Sequence, residues 1–233
     1  MSDTAIVAEA GHGHGHGHEH HPALQHHFDT LEQQLHASQF GMWVFLVTEV
    51  LFFGGLFMAY ILYRIWYPEM YVAASSHLNI LLGGANTVVL IGSSLTMAFA
   101  VRSAQTGEAP RTQVFWLVAT MILGAVFLGV KVVEYSDKIN HHLVPGPHFQ
   151  FAEPFGQTAQ LYFSLYFAMT GLHATHMIIG IGIMMVIAWQ AGRGKFGPKW
   201  YTPVEITGLY WHFVDLVWIF LFPLLYLIGG SHG

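Results

Sequence analysis

The sequence lacks cysteine and has few charged residues, and each shortage excludes a class of site or protein. Without cysteine the chain has no disulfide, no thiolate metal ligand, no iron–sulfur cluster and no covalent c-type haem attachment. Charged residues make up 9% of the 233 residues, against roughly 25% in soluble domains, whereas 54% are hydrophobic. The chain cannot cover itself with polar surface, so it belongs in a bilayer. Only eight residues are basic, which excludes a nucleic-acid partner.

Five apolar stretches are long enough to cross the hydrocarbon core of a membrane, about 30 Å thick, as helices. They cover residues 40–63, 78–101, 114–135, 161–189 and 205–228, within a few residues. A strand interpretation fails, because membrane-spanning strands alternate in polarity and last only about ten residues. The predicted fold is all-α, a polytopic membrane helix bundle in which residues 40–233 form a domain of five transmembrane helices.

Basic residues in the connections predict the orientation of the spans. Arg102 and Arg111 flank the connection between spans 2 and 3, and Arg193, Lys195 and Lys199 lie between spans 4 and 5. The connections on the opposite side carry two basic residues. Because cytoplasmic loops are enriched in Lys and Arg, we expect a cytoplasmic N-terminus and a periplasmic C-terminus. The expected location is the bacterial cytoplasmic (inner) membrane, with the chain crossing it several times.

Residues 1–39 are polar, rich in glycine and histidine, and free of Lys and Arg. We expect a disordered cytoplasmic tail without a cleavable targeting signal, so that the first span serves as the insertion signal. The alternating Gly-His run makes His12, His14, His16 and His18 candidate metal ligands, since imidazoles chelate Zn, Cu and Ni. A defined metal site needs a fixed ligand count and geometry, so incidental binding by a disordered tail is the favoured interpretation.

Five ionisable residues fall inside the predicted spans, where a charged group is costly and therefore a functional candidate. They are Glu49 in span 1, His173 and His176 in span 4, and His212 and Asp215 in span 5. The pairs in spans 4 and 5 are each three residues apart and share a helix face. At about 1.5 Å of rise per residue, all except His173 fall within one layer about 9 Å thick. Either these groups satisfy one another across the bundle, or each is satisfied locally, with Glu49 as a protonated packing group.

Lys131 and Glu134 are also three residues apart, at the external end of span 3. Long side chains there reach the membrane interface, so we expect an interfacial ion pair rather than a catalytic couple. No span contains the Glu-x-x-His motif of a di-iron bundle, and His176 and His212 are poorly matched in depth for a bis-histidine haem. We therefore expect no catalytic residue and no resident cofactor in this chain.

Several segments of the spans resemble subunit III of the haem–copper oxidases. The matching segments lie at 40–53, at 132–135 (Val-Val-Glu-Tyr), at 166–180 and at 210–218 (Tyr-Trp-His-Phe-Val-Asp-Leu-Val-Trp), with a weaker match at 86–96. Many cytochrome c oxidases have seven helices in this subunit, and this chain resembles the last five. The five-helix form also occurs among quinol oxidases. The electron donor therefore stays open between cytochrome c, which is favoured, and quinol.

The resemblance implies an accessory, non-redox subunit of a proton-pumping terminal oxidase in aerobic respiration. Haem and copper then lie in partner subunits I and II. This chain packs directly against subunit I near its proton uptake side, and it binds phospholipid in a cleft between helices. The residues that match the family's polar positions are Glu49, its intramembrane acid, and Glu134, His173, His176, His212 and Asp215.

Two alternatives come from other functional classes. One is a membrane cytochrome or metalloenzyme that carries its own cofactor, and the other is a small proton-coupled transporter with Glu49 as a proton relay. Transporters of this kind are commonly built from inverted repeats and broken helices. Five spans without an internal repeat argue against the transporter, and an optical spectrum distinguishes the cytochrome.

Overall fold

The structure, a computed structural model, describes residues 24–151 and 154–227. Its elements in this part of the chain are helices α1 (Leu31–Trp66), α2 (Pro68–Ser75), α3 (Ile80–Thr106), α4 (Pro110–Asn140), a 3₁₀ turn (Gly156–Thr158), α5 (Ala159–Gly192) and α6 (Thr202–Tyr226). Within the described ranges the chain has no strand, only an isolated bridge between Gly197 and Trp200. All helices except α2 are long and apolar enough to cross a membrane. The prediction of an all-α bundle with five spans is confirmed.

The helices cover the predicted spans, but their observed ends differ from the predicted bounds. α1 begins at Leu31 rather than at residue 40, because the Thr30 hydroxyl accepts a hydrogen bond from the Gln33 backbone N–H at 3.1 Å and caps the helix. Residues 31–39, assigned to the tail from the sequence, are therefore helical. The four histidines proposed as metal ligands lie outside the described residues.

The short helix α2 was not predicted from the sequence. Tyr67 ends α1, and Pro68 starts α2 at a position where its missing N–H costs nothing. The Tyr71 ring of α2 packs edge-on against Tyr60 of α1 and Tyr162 of α5, with ring centroids 5.0 and 5.2 Å away. α2 thus anchors the end of α1 to α5.

α6 lies at the centre of the bundle and α1 lies at its edge. α6 contacts α1, α3 and α5, whereas α3 packs mainly against α4. Over the most apolar 18 residues of each helix, 56% are buried in α6 and 17% in α1. Most of the α1 surface is therefore left for lipid or for another protein.

Two glycines let the central helices approach each other around one indole. The Trp211 ring of α6 is fully buried between Gly124 of α4 and Gly180 of α5. A Cβ atom at either glycine would lie 2.9 Å from the ring, which is too close for any real contact. Small residues are therefore required at these two positions, as is common where membrane helices approach closely.

Candidate functional site

Six of the ionisable intramembrane residues that the structure describes form three separate clusters. The first, the acid–histidine cleft, contains Glu49 and His176. The second, the lysine–glutamate cluster, contains Lys131 and Glu134. The third, the α3–α6 groove, contains His212 and Asp215. Glu49 and His176 thus satisfy each other across the bundle, whereas His212 and Asp215 contact serines of α3 and not the other ionisable groups.

The acid–histidine cleft lies between α1, α5 and α6 and has a volume of about 510 Å³. Glu49 Oε2 lies 3.2 Å from His176 Nε2, and the two side chains are 18% and 14% exposed. The cleft walls are otherwise mostly apolar and include Met42, Ile179 and Ile183. An apolar cleft thus has one polar pair on its wall.

The hydrogen bonds of His176 show which of its ring nitrogens carries a hydrogen. Its Nδ1 lies 2.9 Å from the Leu172 carbonyl oxygen, which can only accept, so Nδ1 carries a hydrogen. Nε2 then faces Glu49. Either a protonated Glu49 donates to Nε2, or an imidazolium donates to the carboxylate. In both arrangements the contact is a hydrogen bond between an acid and an imidazole on different helices.

Aromatic residues fix the imidazole ring and cover it. Tyr210 of α6 stacks on His176 with a centroid distance of 6.4 Å, and its hydroxyl donates to the His176 carbonyl oxygen at 3.0 Å. Phe53 of α1 packs on the same ring at 5.5 Å. Tyr210 was not singled out from the sequence, although it lies in the matched segment two residues before His212.

Side-chain hydrogen bonds hold α1 to the bundle at three positions in the described part of the chain. Gln39 Nε2 donates to Glu205 Oε1 at 3.0 Å, Glu49 contacts its histidine, and the Tyr60 hydroxyl donates to the Leu224 carbonyl oxygen at 2.7 Å. The three α1 positions are ten and eleven residues apart, and three turns of helix take about 10.8 residues. They therefore lie on one face, with Glu49 as the middle attachment.

The predicted ion pair between Lys131 and Glu134 is present, but both side chains are buried in the protein instead of reaching the membrane interface. Glu134 accepts hydrogen bonds from Lys131 at 2.9 Å, from Tyr166 at 2.9 Å and from Tyr226 at 2.5 Å. Lys131 Nζ also lies 4.5 Å from the centroid of the Trp218 ring. Both charged side chains are at most 6% exposed, so the expected interfacial pair is instead enclosed by α4, α5 and α6. The tyrosine hydroxyls and the indole face satisfy these charges inside the protein.

His173 and His176 face different surroundings although they are three residues apart. The His173 ring is enclosed by Phe127 and Trp218, each with its centroid 5.4 Å away. Neither ring nitrogen of His173 has a hydrogen-bond partner among the described residues. This imidazole belongs to the closed interior and does not reach the cleft.

In the α3–α6 groove, His212 and Asp215 face two adjacent serines of α3. His212 Nδ1 lies 2.7 Å from Ser94 Oγ, whereas Asp215 Oδ2 lies 3.4 Å from Ser93 Oγ. The Trp211 indole N–H donates to the same Ser93 oxygen at 3.1 Å. The i, i+3 spacing therefore brings both residues to one groove, which has a volume of about 220 Å³.

The arrangement does not place ligands for a cofactor together among the described residues. In that part of the chain no three His, Asp or Glu side chains are grouped so that they can hold a metal ion. His176 is engaged by Glu49 and His212 by Ser94. What the described clusters offer is hydrogen bonding, ion pairing and packing.

Comparison with known proteins gives consistent matches over most of the chain. The family model described as "Cytochrome c oxidase subunit III" matches residues 22–230. Cytochrome c oxidase subunit 3 of Thermostichus vulcanus is 34% identical over 193 residues, which cover 81% of this chain and 86% of that protein. The same subunit of Synechocystis sp. is 33% identical over 190 residues, covering 81% and 75%. Cytochrome bo(3) ubiquinol oxidase subunit 3 of Pseudomonas aeruginosa is 29% identical over 191 residues, covering 82% and 85%.

Proposed function

The chain belongs to the cytochrome c oxidase subunit III family, and we propose that it serves its haem–copper oxidase as an accessory, non-redox subunit. It is a membrane protein with five spanning helices and part of a respiratory oxidase. In the proposed complex, subunits I and II hold haem and copper, and subunit I reduces oxygen. This chain packs directly against subunit I and keeps it intact during turnover.

The observation that carries this proposal is the acid–histidine cleft. Its mostly apolar walls suit the acyl chains of a phospholipid, and an open cleft of about 510 Å³ has room for them. The Glu49–His176 contact and two other hydrogen bonds attach α1 at the edge of the bundle. A phospholipid in the cleft would fill the space between α1 and α5. Lipid and polar attachments together would then hold the subunit's shape.

The same pair supports a place on the proton uptake side of the complex. Glu49 and His176 contact each other at 3.2 Å and are partly exposed to the cleft. We propose that they maintain a polar spot near the point where subunit I takes up protons from the cytoplasm. The topology that goes with this is the one predicted from the basic loops, a cytoplasmic N-terminus and a periplasmic C-terminus in the bacterial cytoplasmic membrane.

The proposed electron donor is cytochrome c. The cytochrome c oxidase subunits compared above are 33–34% identical to this chain, whereas the bo(3) quinol oxidase subunit is 29% identical. Oxygen consumption by the purified complex, with reduced cytochrome c or with a quinol as donor, separates the two. Turnover with quinol and none with cytochrome c would contradict this part of the proposal.

The test of the accessory role is a comparison of the oxidase purified with and without this chain. Haem and copper content should be equal in both preparations, and the initial rate of oxygen consumption should be largely retained. The preparation without the chain should lose activity sooner over many turnovers. Loss of a stoichiometric haem together with this chain would show that the chain carries a redox centre itself.

A further inference from the structure

We propose that a pocket at the end of α1 binds the head group of a phospholipid that carries an ammonium ion, such as phosphatidylethanolamine. This terminal pocket lies between the end of α1, the start of α2 and the residues just before α5, and its volume is about 390 Å³. Its lining includes Trp66, Glu69, Met70 and Phe155. The terminal pocket shares no lining residue with the acid–histidine cleft, so it is a second lipid site and goes beyond the proposed function.

The terminal pocket combines aromatic side chains with one carboxylate that the chain leaves free. Trp66, Tyr67 and Phe155 contribute the aromatic rings, and Glu69 contributes the acid. Glu69 is exposed, and its carboxylate has no hydrogen-bond or ion-pair partner among the described residues. No basic residue of that part of the chain lines the pocket. Aromatic rings and a carboxylate attract an organic ammonium ion, whereas the acid repels a head group that has a phosphate and no cation.

The position of the terminal pocket along α1 places it at the level of lipid head groups. Trp66 is the last residue of α1, and Tyr67 follows it directly. Tryptophan and tyrosine are enriched where a membrane span leaves the hydrocarbon, and the apolar run of this span ends at residue 63. The part of a lipid that reaches the pocket is therefore its head group.

An exposed apolar strip of α1 runs from the terminal pocket towards the middle of the membrane. Met58, Leu62 and Ile65 are all exposed, as is Trp66 at the pocket itself. Residues four and seven positions apart lie on one face of a helix, so these side chains form a continuous strip. The strip offers a surface to an acyl chain whose head group occupies the pocket. A phospholipid with a cationic amine matches both features, whereas a soluble amine matches the pocket alone.

Zero-length crosslinking of the oxidase complex in lipid nanodiscs tests the proposal. A water-soluble carbodiimide joins a carboxylate to an amine that touches it, forming an amide while the carbodiimide takes up the oxygen and becomes a urea. Asp137, an exposed acid at the same end of the bundle, is the matched control. In nanodiscs that contain phosphatidylethanolamine, peptide mass spectrometry should find the lipid amide at Glu69 well above its yield at Asp137. Equal yields at the two acids would overturn the proposal.

A tryptophan substitution tests the aromatic side of the pocket while Glu69 stays in place. Trp66→Leu should lower the yield of the lipid amide at Glu69 about two- to fivefold, the factor expected for one exposed cation–π contact. Trp43→Leu removes another exposed tryptophan of α1, far from the pocket, and should leave the yield unchanged. Equal yields from the two variants would contradict the inference.

Two further outcomes identify the occupant. Free ethanolamine, added to nanodiscs of phosphatidylglycerol alone, lacks the acyl chain and should favour Glu69 over Asp137 less than the lipid does; an equal preference would show that the apolar strip plays no part and would contradict the proposal. Attachment of Glu69 to a lysine of another subunit, in place of lipid, would assign the pocket to a protein partner and overturn it.

The same experiment keeps this inference apart from the proposed function. Lipid in the acid–histidine cleft lies beside Glu49, whereas lipid in the terminal pocket is recorded at Glu69. A complex that retains this chain and its accessory role but forms no lipid amide at Glu69 would show that the terminal pocket alone is wrong.

Discussion

The fully buried Trp211 makes Gly180 a sensitive position for testing how the bundle centre is packed. Gly180→Ala would place a Cβ atom 2.9 Å from the indole ring and 3.1 Å from the Tyr210 ring. The same ring packs against Gly124, where an added Cβ atom would also lie 2.9 Å away. Its indole N–H is also held by Ser93. The added methyl group therefore has to displace a helix or force a strained rotamer.

Gly182 of the same helix is the matched control, since a Cβ atom there meets nothing within 4 Å. Replacing a helical glycine with alanine gains up to about 1 kcal/mol at either position. Overpacking costs about 1–3 kcal/mol, and it applies at Gly180 alone. We therefore expect Gly182→Ala to be neutral or stabilising and Gly180→Ala to be less stable than it by about 1–3 kcal/mol.

Thermal unfolding of the purified complex in one detergent measures this difference. A domain of this size shifts by about 2–4 °C for each kcal/mol. In a Trp211→Phe background the smaller ring leaves space, so the gap between the two glycine variants should shrink. Equal melting temperatures for the two variants with Trp211 in place would refute the packing described here.

Other consequences follow from the buried charges, the absence of a ligand group and the tail. Glu134→Ala should destabilise the chain by about 3–5 kcal/mol, because it leaves the buried Lys131 charge uncompensated. Replacing both Glu134 and Lys131 with apolar residues of similar size should cost far less. Thermal unfolding of the wild type, the two single variants and the double variant checks this. The separately purified chain should be colourless, and a Soret band at one haem per chain would contradict the accessory role. Deleting residues 1–23 should leave assembly and oxygen reduction intact, and a truncated chain that inserts normally but fails to join the complex would show that the tail is needed.

The spanning helices follow from composition, but their ends and the short helix α2 do not. A long apolar run has few other stable states in a bilayer, so the spans are readable from the sequence. The start of α1 instead depends on the Thr30 cap, which lies outside the apolar run. α2 has eight residues, too few for a periodic signal, and its position depends on contacts of Tyr71 with two other helices.

The identity of the polar residues was predictable from the sequence, whereas their partners were not. Residues three apart on a helix point about 60° away from each other, which suffices to turn His173 inward while His176 faces the cleft. The rotation of each helix is set by packing, such as the approach of Gly124 and Gly180 to Trp211. Sequence spacing along one helix carries no information about that rotation.

The most direct test of the accessory role is oxygen consumption by Glu49 variants of the complex, followed over many turnovers in vesicles with spectra before and after. Glu49→Gln keeps an amide that can donate to His176 Nε2, whereas Glu49→Ala leaves that nitrogen unpaired and removes the middle attachment of α1. We expect normal haem spectra in both variants and an initial rate that is at most modestly lowered. Both should inactivate sooner during turnover, and the Ala variant should do so faster. Complete and immediate loss of oxygen reduction in the Gln variant, with intact haem content, would place Glu49 on the obligatory chemical path and contradict the accessory role.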